Sequence, residues 1–170
     1  MSLFKKSQRK ETKAHRKMIC LYFSTSHDQV IIAPFYKNYA GIYYEQDVCT
    51  TYSLSTDNET LGNEIISAFY KFEIKDKDLA RHKKSDWPAY KHSKTKTMKS
   101  FEECYVRMEL SGANEANIIL EYFCEVKNMS FQLHSAISLN AEKSEIGKVA
   151  MELHDYSVKI GKNLANRCMD

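Results

Sequence analysis

The clearest pattern in the chain is alternation after residue 104. Val106, Met108 and Leu110 share one side of an extended run, with Arg107 and Glu109 between them. Ser111-Gly112-Ala113-Asn114 then turns the chain, and Ile118, Leu120, Tyr122, Cys124 and Val126 again fall on one side. Lys127-Asn128 turns it once more before Phe131, Leu133, Ile137 and Leu139. Period-two runs joined by short polar turns predict an antiparallel meander. Asn140 is placed to cap a closing helix whose apolar stripe is Ile146, Val149, Ala150, Leu153, Ile160 and Leu164.

The first half repeats the plan in shorter pieces. Met18 to Phe23 is a strand, Ser26-His27-Asp28 a turn, and Val30, Ile31, Ile32 and Phe35 its hairpin partner. Gly41 to Tyr44 and Val48 to Leu54 read as two further strands. Thr56-Asp57-Asn58-Glu59 has the form of a capping box, with Thr56 as the cap and Leu61, Ile65, Phe69 and Phe72 on one face of a helix over 58–73. Residues 74–97 are charged and lack a period, and Asp86-Trp87-Pro88-Ala89-Tyr90 reads as a helix stop. A short helix is expected near Thr97, containing Phe101. The fold expected is α+β: one domain over 17–170, a curved antiparallel sheet of about six to seven strands packed with two or three helices on one face.

Composition narrows the class. With 170 residues, 43% hydrophobic, 5 Gly and 2 Pro, the chain can bury a full core without staples. Five cysteines, an odd number with no CxxC pair, fit free thiols in a reducing compartment. No apolar run approaches the roughly 18 residues that span a bilayer, and no secretory h-region follows the basic start. A cytosolic protein, monomeric or weakly dimeric, is the expectation.

The net charge of +3 conceals blocks of opposite sign. Residues 1–17 carry seven bases and one acid, and 1–16 reads as a basic flexible tail. Residues 18–70 come to −5, residues 71–99 to +6, and residues 100–170 to −4. Surface potential is local, so these blocks say more than the total.

Candidate chemistry is sparse. No phosphate loop, dinucleotide fingerprint, zinc-protease motif or nucleophile elbow is present, so no cofactor is expected. A thiol enzyme would pair Cys104 with His134 or His154, but nothing in the spacing specifies that contact. A nuclease would use Asp28, Glu45 and Asp47 as metal carboxylates, with 45 and 47 on one face of a strand, but no DxD or ExK arrangement supports it. Residues 71–99 combine ten bases with Phe72, Trp87 and Tyr90, and Tyr70 precedes them; cations and stacking rings suit nucleic acid. Interspersed Glu73, Asp76, Asp78 and Asp86 equally fit a solvated connector. A binding protein without catalytic activity is the reading that remains, with a nucleic-acid module as its alternative.

One segment is more specific. In Asp86 to Glu102, a Trp (Trp87), then Tyr90, then Ser93-Lys94-x-Lys96-[ST], then Lys-x-Phe101-Glu102, resembles bacterial contact-dependent growth inhibition immunity proteins. Pro34-Phe35, Gly41 to Gln46, Leu61-Gly62 and Glu145-Ile146-Gly147 are similar to that family as well. The resemblance implies a cytosolic protein that binds and neutralises one toxin domain, many such toxins being nucleases, and in some members along a sheet edge. A nuclease is basic near its groove, so the acidic block 18–70 is the expected contact: Asp28, Glu45, Asp47, Asp57, Glu59 and Glu64, with Tyr39, Tyr43 and Tyr44 as aromatic anchors.

Overall fold

The computed structural model describes residues 16–76, 87–126 and 129–167. The basic segment 1–16 lies outside these residues apart from Arg16, and Cys168 and the middle of the basic connector lie outside them too.

The chain is α+β. Its strands are β1 (Met18–Ser24), β2 (Gln29–Lys37), β3 (Tyr43–Glu45), β4 (Thr50–Tyr52), β5 (Glu73–Ile74), β6 (Val106–Gly112), β7 (Asn117–Val126) and β8 (Met129–Ser138). Its helices are α1 (Asn58–Tyr70), α2 (Pro88–Lys91), α3 (Met98–Cys104) and α4 (Lys143–Arg167). The sheet runs β3-β2-β1-β6-β7-β8, with β4 and β5 also on β2. All pairings are antiparallel except the two-residue β2–β5 contact. The meander forms as its alternation demands, with Met108, Leu110, Ile118, Leu120 and Ile137 all buried on one face.

β2 is the hub of the first half. Residues 29–34 pair with β1, and 30–32 also with β4, whereas Phe35 to Lys37 pair with β3, and Tyr36 and Lys37 also with β5. The change falls at Pro34, which has no N–H to donate and is confined to places where a ladder ends or bends.

Two apolar clusters lie on opposite faces of β1 and β2. Ile19, Leu21, Phe23, Val30 and Ile32 face α1 and α4. Cys20, Tyr22, Ile31, Ala33 and Phe35 face Ala89 of α2, Phe101 of α3 and Tyr105. Helices on one face only was therefore half the architecture. A strand buried on both sides loses its alternation, so β1 and β2 could not reveal the second layer.

Local signals shift by a residue or two. Asp57 rather than Thr56 caps α1, its carboxylate accepting from the Thr60 N–H at 2.8 Å. Pro88 does not stop a helix; it opens α2 at a position where its missing N–H has no consequence. Thr97 caps α3 as expected, accepting from the Ser100 N–H. Asn140 sits in the turn before α4, and the Glu142 carbonyl accepts the first helical bonds.

α1 and α4 touch backbone to backbone. A Cβ on Gly62 would stand 1.7 Å from the Lys143 carbonyl oxygen, and one on Gly147 would stand 2.0 Å from that of Asn58. Both glycines fall in stretches that carry the family resemblance, and close helix packing explains them.

Candidate functional site

Beyond Pro34, β2 projects a turn that shows apolar side chains to solvent. The Asn38 carboxamide oxygen accepts from the Ile42 N–H at 2.8 Å, and the Gly41 N–H reaches the Asn38 carbonyl. Gly41 holds φ +92, which glycine adopts without a Cβ penalty. The tight loop leaves Tyr39 74% and Ile42 51% exposed. On β3, Tyr44 stacks on Tyr36 with ring centroids 5.3 Å apart. Tyr43 lies under the Lys37 ammonium at 4.7 Å and donates its hydroxyl to the Arg16 carbonyl. Asp47 is exposed, as is Val48 at 62%, and Ile74 lies beside Lys37 through the β5 pairing. Of the residues in the sequence reading, Tyr39 stands in the turn beyond β2, Tyr43 and Tyr44 on β3, and Asp47 past Glu45 near the level of Pro34; Ile42, Val48 and Ile74 are exposed along the same edge. The extra residues were legible only as strand-formers.

The remaining acids of the block stand elsewhere. Glu45 is 5% exposed, and its carboxylate accepts from the Tyr22 hydroxyl and from the Ala89 N–H at 3.0 Å. Burial, with Cys20 and Glu45 nearby, pushes the Tyr22 phenol well above its ordinary range. Burial likewise pushes the Cys20 thiol up to about 12. Asp28, at φ 45 in the β1–β2 turn, accepts from the Ser53 hydroxyl and the Leu54 N–H. Hydrogen bonds from Thr60 lower the Asp57 carboxyl. Glu64 meets Tyr52, whose phenol is raised to about 12 by burial first and by that carboxylate second. Glu59 is exposed in the first turn of α1.

The motif that carries the family resemblance forms the second helical layer. Phe101 is buried between Tyr22, Tyr90 and Tyr105, with centroids 5.4, 5.8 and 4.9 Å away. Tyr90 donates to the Lys96 carbonyl, and Ser93 donates to the Tyr90 carbonyl. The Lys94 N–H donates to the Tyr105 hydroxyl, which in turn donates to Gln29, and the Lys94 ammonium reaches the His27 carbonyl. Trp87 is the N-terminal neighbour of α2 and 37% exposed, while Glu102 faces solvent. These side chains and backbone groups weld the segment to β1 and β2.

The geometry does not assemble the rival sites. Cys104 packs in the cluster under α2 and α3, whereas His154 lies in α4 across the sheet, stacked on Phe23 at 4.9 Å. His134 stands on β8 opposite Glu121, two strands beyond β6. Asp28 precedes β2, but Glu45 pairs with Phe35, which puts about 23 Å of strand between them. Among the described residues no group of three or more His, Cys, Asp or Glu could hold a metal ion. In the basic connector, Tyr90 packs inward, Phe72 packs on Tyr43 and Lys94 is tied to His27, so these residues form no open stacking row. Among the described residues no helix is long and apolar enough to cross a membrane.

The fold defines a class: an open α+β sheet with one long helical pair on one face and two short helices on the other. Solved structures share it. A protein of unknown function from Neisseria meningitidis matches with a TM-score of 0.63 and 18% identity, over 81% of this chain and 92% of that one. A chain of the CdiA-CT/CdiI toxin and immunity complex from Yersinia pseudotuberculosis matches with a TM-score of 0.62 and 12% identity, over 81% and 94%. No family model and no curated protein matches the sequence.

Proposed function

We propose that this chain is an immunity protein: it binds a cognate contact-dependent growth inhibition toxin domain in the cytosol and neutralises it without catalysis or cofactor. Its fold is shared with a chain of a toxin and immunity complex, and its motifs resemble that family. The observation that carries the reading is the exposed turn beyond β2, where Tyr39 and Ile42 stand in solvent, with Asp47 and Val48 exposed further along the same edge, past Glu45. Rigid aromatic and aliphatic anchors rimmed by polar groups are the composition of a binding hot spot. The toxin is a nuclease on this reading, because Asp47 and Glu59 offer exposed carboxylates to a basic groove. The open edge of β3 offers backbone partners as well.

The test is calorimetry of the pure chain with the toxin domain encoded beside it. A complex at sub-micromolar concentration is expected. Replacing Tyr39 or Ile42 by Ala should weaken it about thirtyfold, the effect of losing a 2 kcal/mol anchor. No complex at micromolar concentration overturns the immunity reading. A tight complex indifferent to both substitutions overturns the assignment of the face.

A further inference from the structure

A second surface feature adjoins that face, where the Tyr43 hydroxyl meets the Arg16 carbonyl. The start of β1, the end of α1 and the β6–β7 turn enclose a cleft of about 670 Å³. Its apolar wall is Phe69, Ile119 and Leu139. Tyr70, 59% exposed, forms one lip and Asn114 and Glu115 the other. The Gly112 N–H donates to the Lys17 carbonyl at 2.9 Å, which fixes the strand that carries the cations. A side chain at 112 would press on the Phe69 ring, since a Cβ there already meets it at 3.3 Å. Glycine keeps the cleft open.

The charge in the cleft is unevenly answered. Arg16 donates to the Ser111 hydroxyl at 2.7 Å and meets Glu121 at 3.5 Å. Lys17 has no carboxylate within ion-pair distance among the described residues. Its ammonium instead rests 4.7 Å from the Tyr70 ring and 5.7 Å from Phe69. A cation held on aromatic faces above an apolar wall is a receptor for a group with both halves: a carboxylate for the ammonium, and a ring or branched chain for the wall. The volume is within the range of ligand clefts. One side stays open to solvent along the exposed 113–116 turn, which suits a chain segment entering and leaving.

We propose that this cleft binds a peptide segment of a partner in which an acidic residue adjoins an aromatic one, with Lys17 taking the carboxylate and Phe69, Ile119 and Leu139 the ring. The site adjoins the β2-end face through the Tyr43–Arg16 hydrogen bond, but its lining shares no anchor with that face and its test needs no toxin. The labelled chain is titrated with the peptide acetyl-Gly-Glu-Phe-Gly-amide, followed by amide chemical shifts. Saturable shifts are expected at Lys17, Tyr70, Gly112 and Leu139. Affinity should fall about tenfold with Gln in place of the peptide's Glu, and by a similar factor in Lys17→Gln, as for one charge-assisted hydrogen bond. An unchanged melting midpoint checks that the variant is folded. No saturable shifts at millimolar peptide overturn the proposal, as does equal binding of the Gln peptide. Equal or tighter binding of 3-phenylpropionate overturns the peptide assignment in favour of a free carboxylate.

Discussion

Gly62→Ala is the sharpest test of the packing, because two effects of opposite sign meet at one methyl group. In an exposed helix interior, Gly to Ala adds about 1 kcal/mol of stability through helix propensity. Here the added Cβ would stand 1.7 Å from the Lys143 carbonyl oxygen and 2.6 Å from its carbon. A carbon and a carbonyl oxygen normally approach no closer than about 3.3 Å. The helices must therefore part by about 1.6 Å at the crossing. The obstacle is backbone in a regular helix and cannot swing aside. Overpacking of this kind costs about 1–3 kcal/mol and sometimes more, and a rigid obstacle puts the cost at the upper end. Set against the propensity gain, a net loss of about 2 kcal/mol is expected, or a melting midpoint lower by about 4–8 °C for a domain of this size. Gly147→Ala presses on Asn58 in the same way. Because one separation relieves both clashes, the double variant should lose less than the sum of the two. Thermal and urea unfolding followed by circular dichroism measure all three. A Gly62→Ala protein as stable as the parent, or more so, would refute the backbone contact between α1 and α4.

Other consequences follow from buried groups. Glu45→Ala strands the Ala89 N–H and the Tyr22 hydroxyl, and should cost about 2–3 kcal/mol in urea unfolding; a loss under 0.5 kcal/mol would remove Glu45 from the interior network. Burial lowers the His154 pKa, so protonation favours the unfolded chain. Its contribution to stability is intact above the unfolded value near 6.5 and is lost as pH falls below that toward the folded pKa. His154→Leu should therefore flatten the stability profile between about pH 7 and pH 5, and an unaltered slope there would count against it. The buried Cys20 thiol, raised to about 12, should resist iodoacetamide in the folded chain at pH 8, while half-buried Cys104 and Cys124 are alkylated before it; peptide mapping reads the order.

The second half of the fold was legible because it is amphipathic. Each meander strand has one wet face, so period two marks the core directly, and the apolar stripe of α4 does the same at helical spacing. The first half hides its plan. β1 and β2 are buried on both faces, and a continuous apolar run does not say which residue faces which helix. The second layer is built from a four-residue and a seven-residue helix, too short for a period to emerge. Glu45 shows the limit at the site. Nothing near it in sequence distinguishes a solvated acid from one whose partners are 23 and 44 positions away. Tyr39 and Asp47 look no different on paper and stand in solvent.

The change of partners at Pro34 bears on motion as well as shape. The β3 segment holds to β2 through only three register pairs, whereas β1 holds to it through six. The short ladder can open and close without disturbing the long one, so its amides should exchange with deuterium well before those of residues 19–24. A partner that docks across Tyr39 and Val48 would then close a hinged flap against a fixed frame, and part of its binding energy would be spent in stilling that flap.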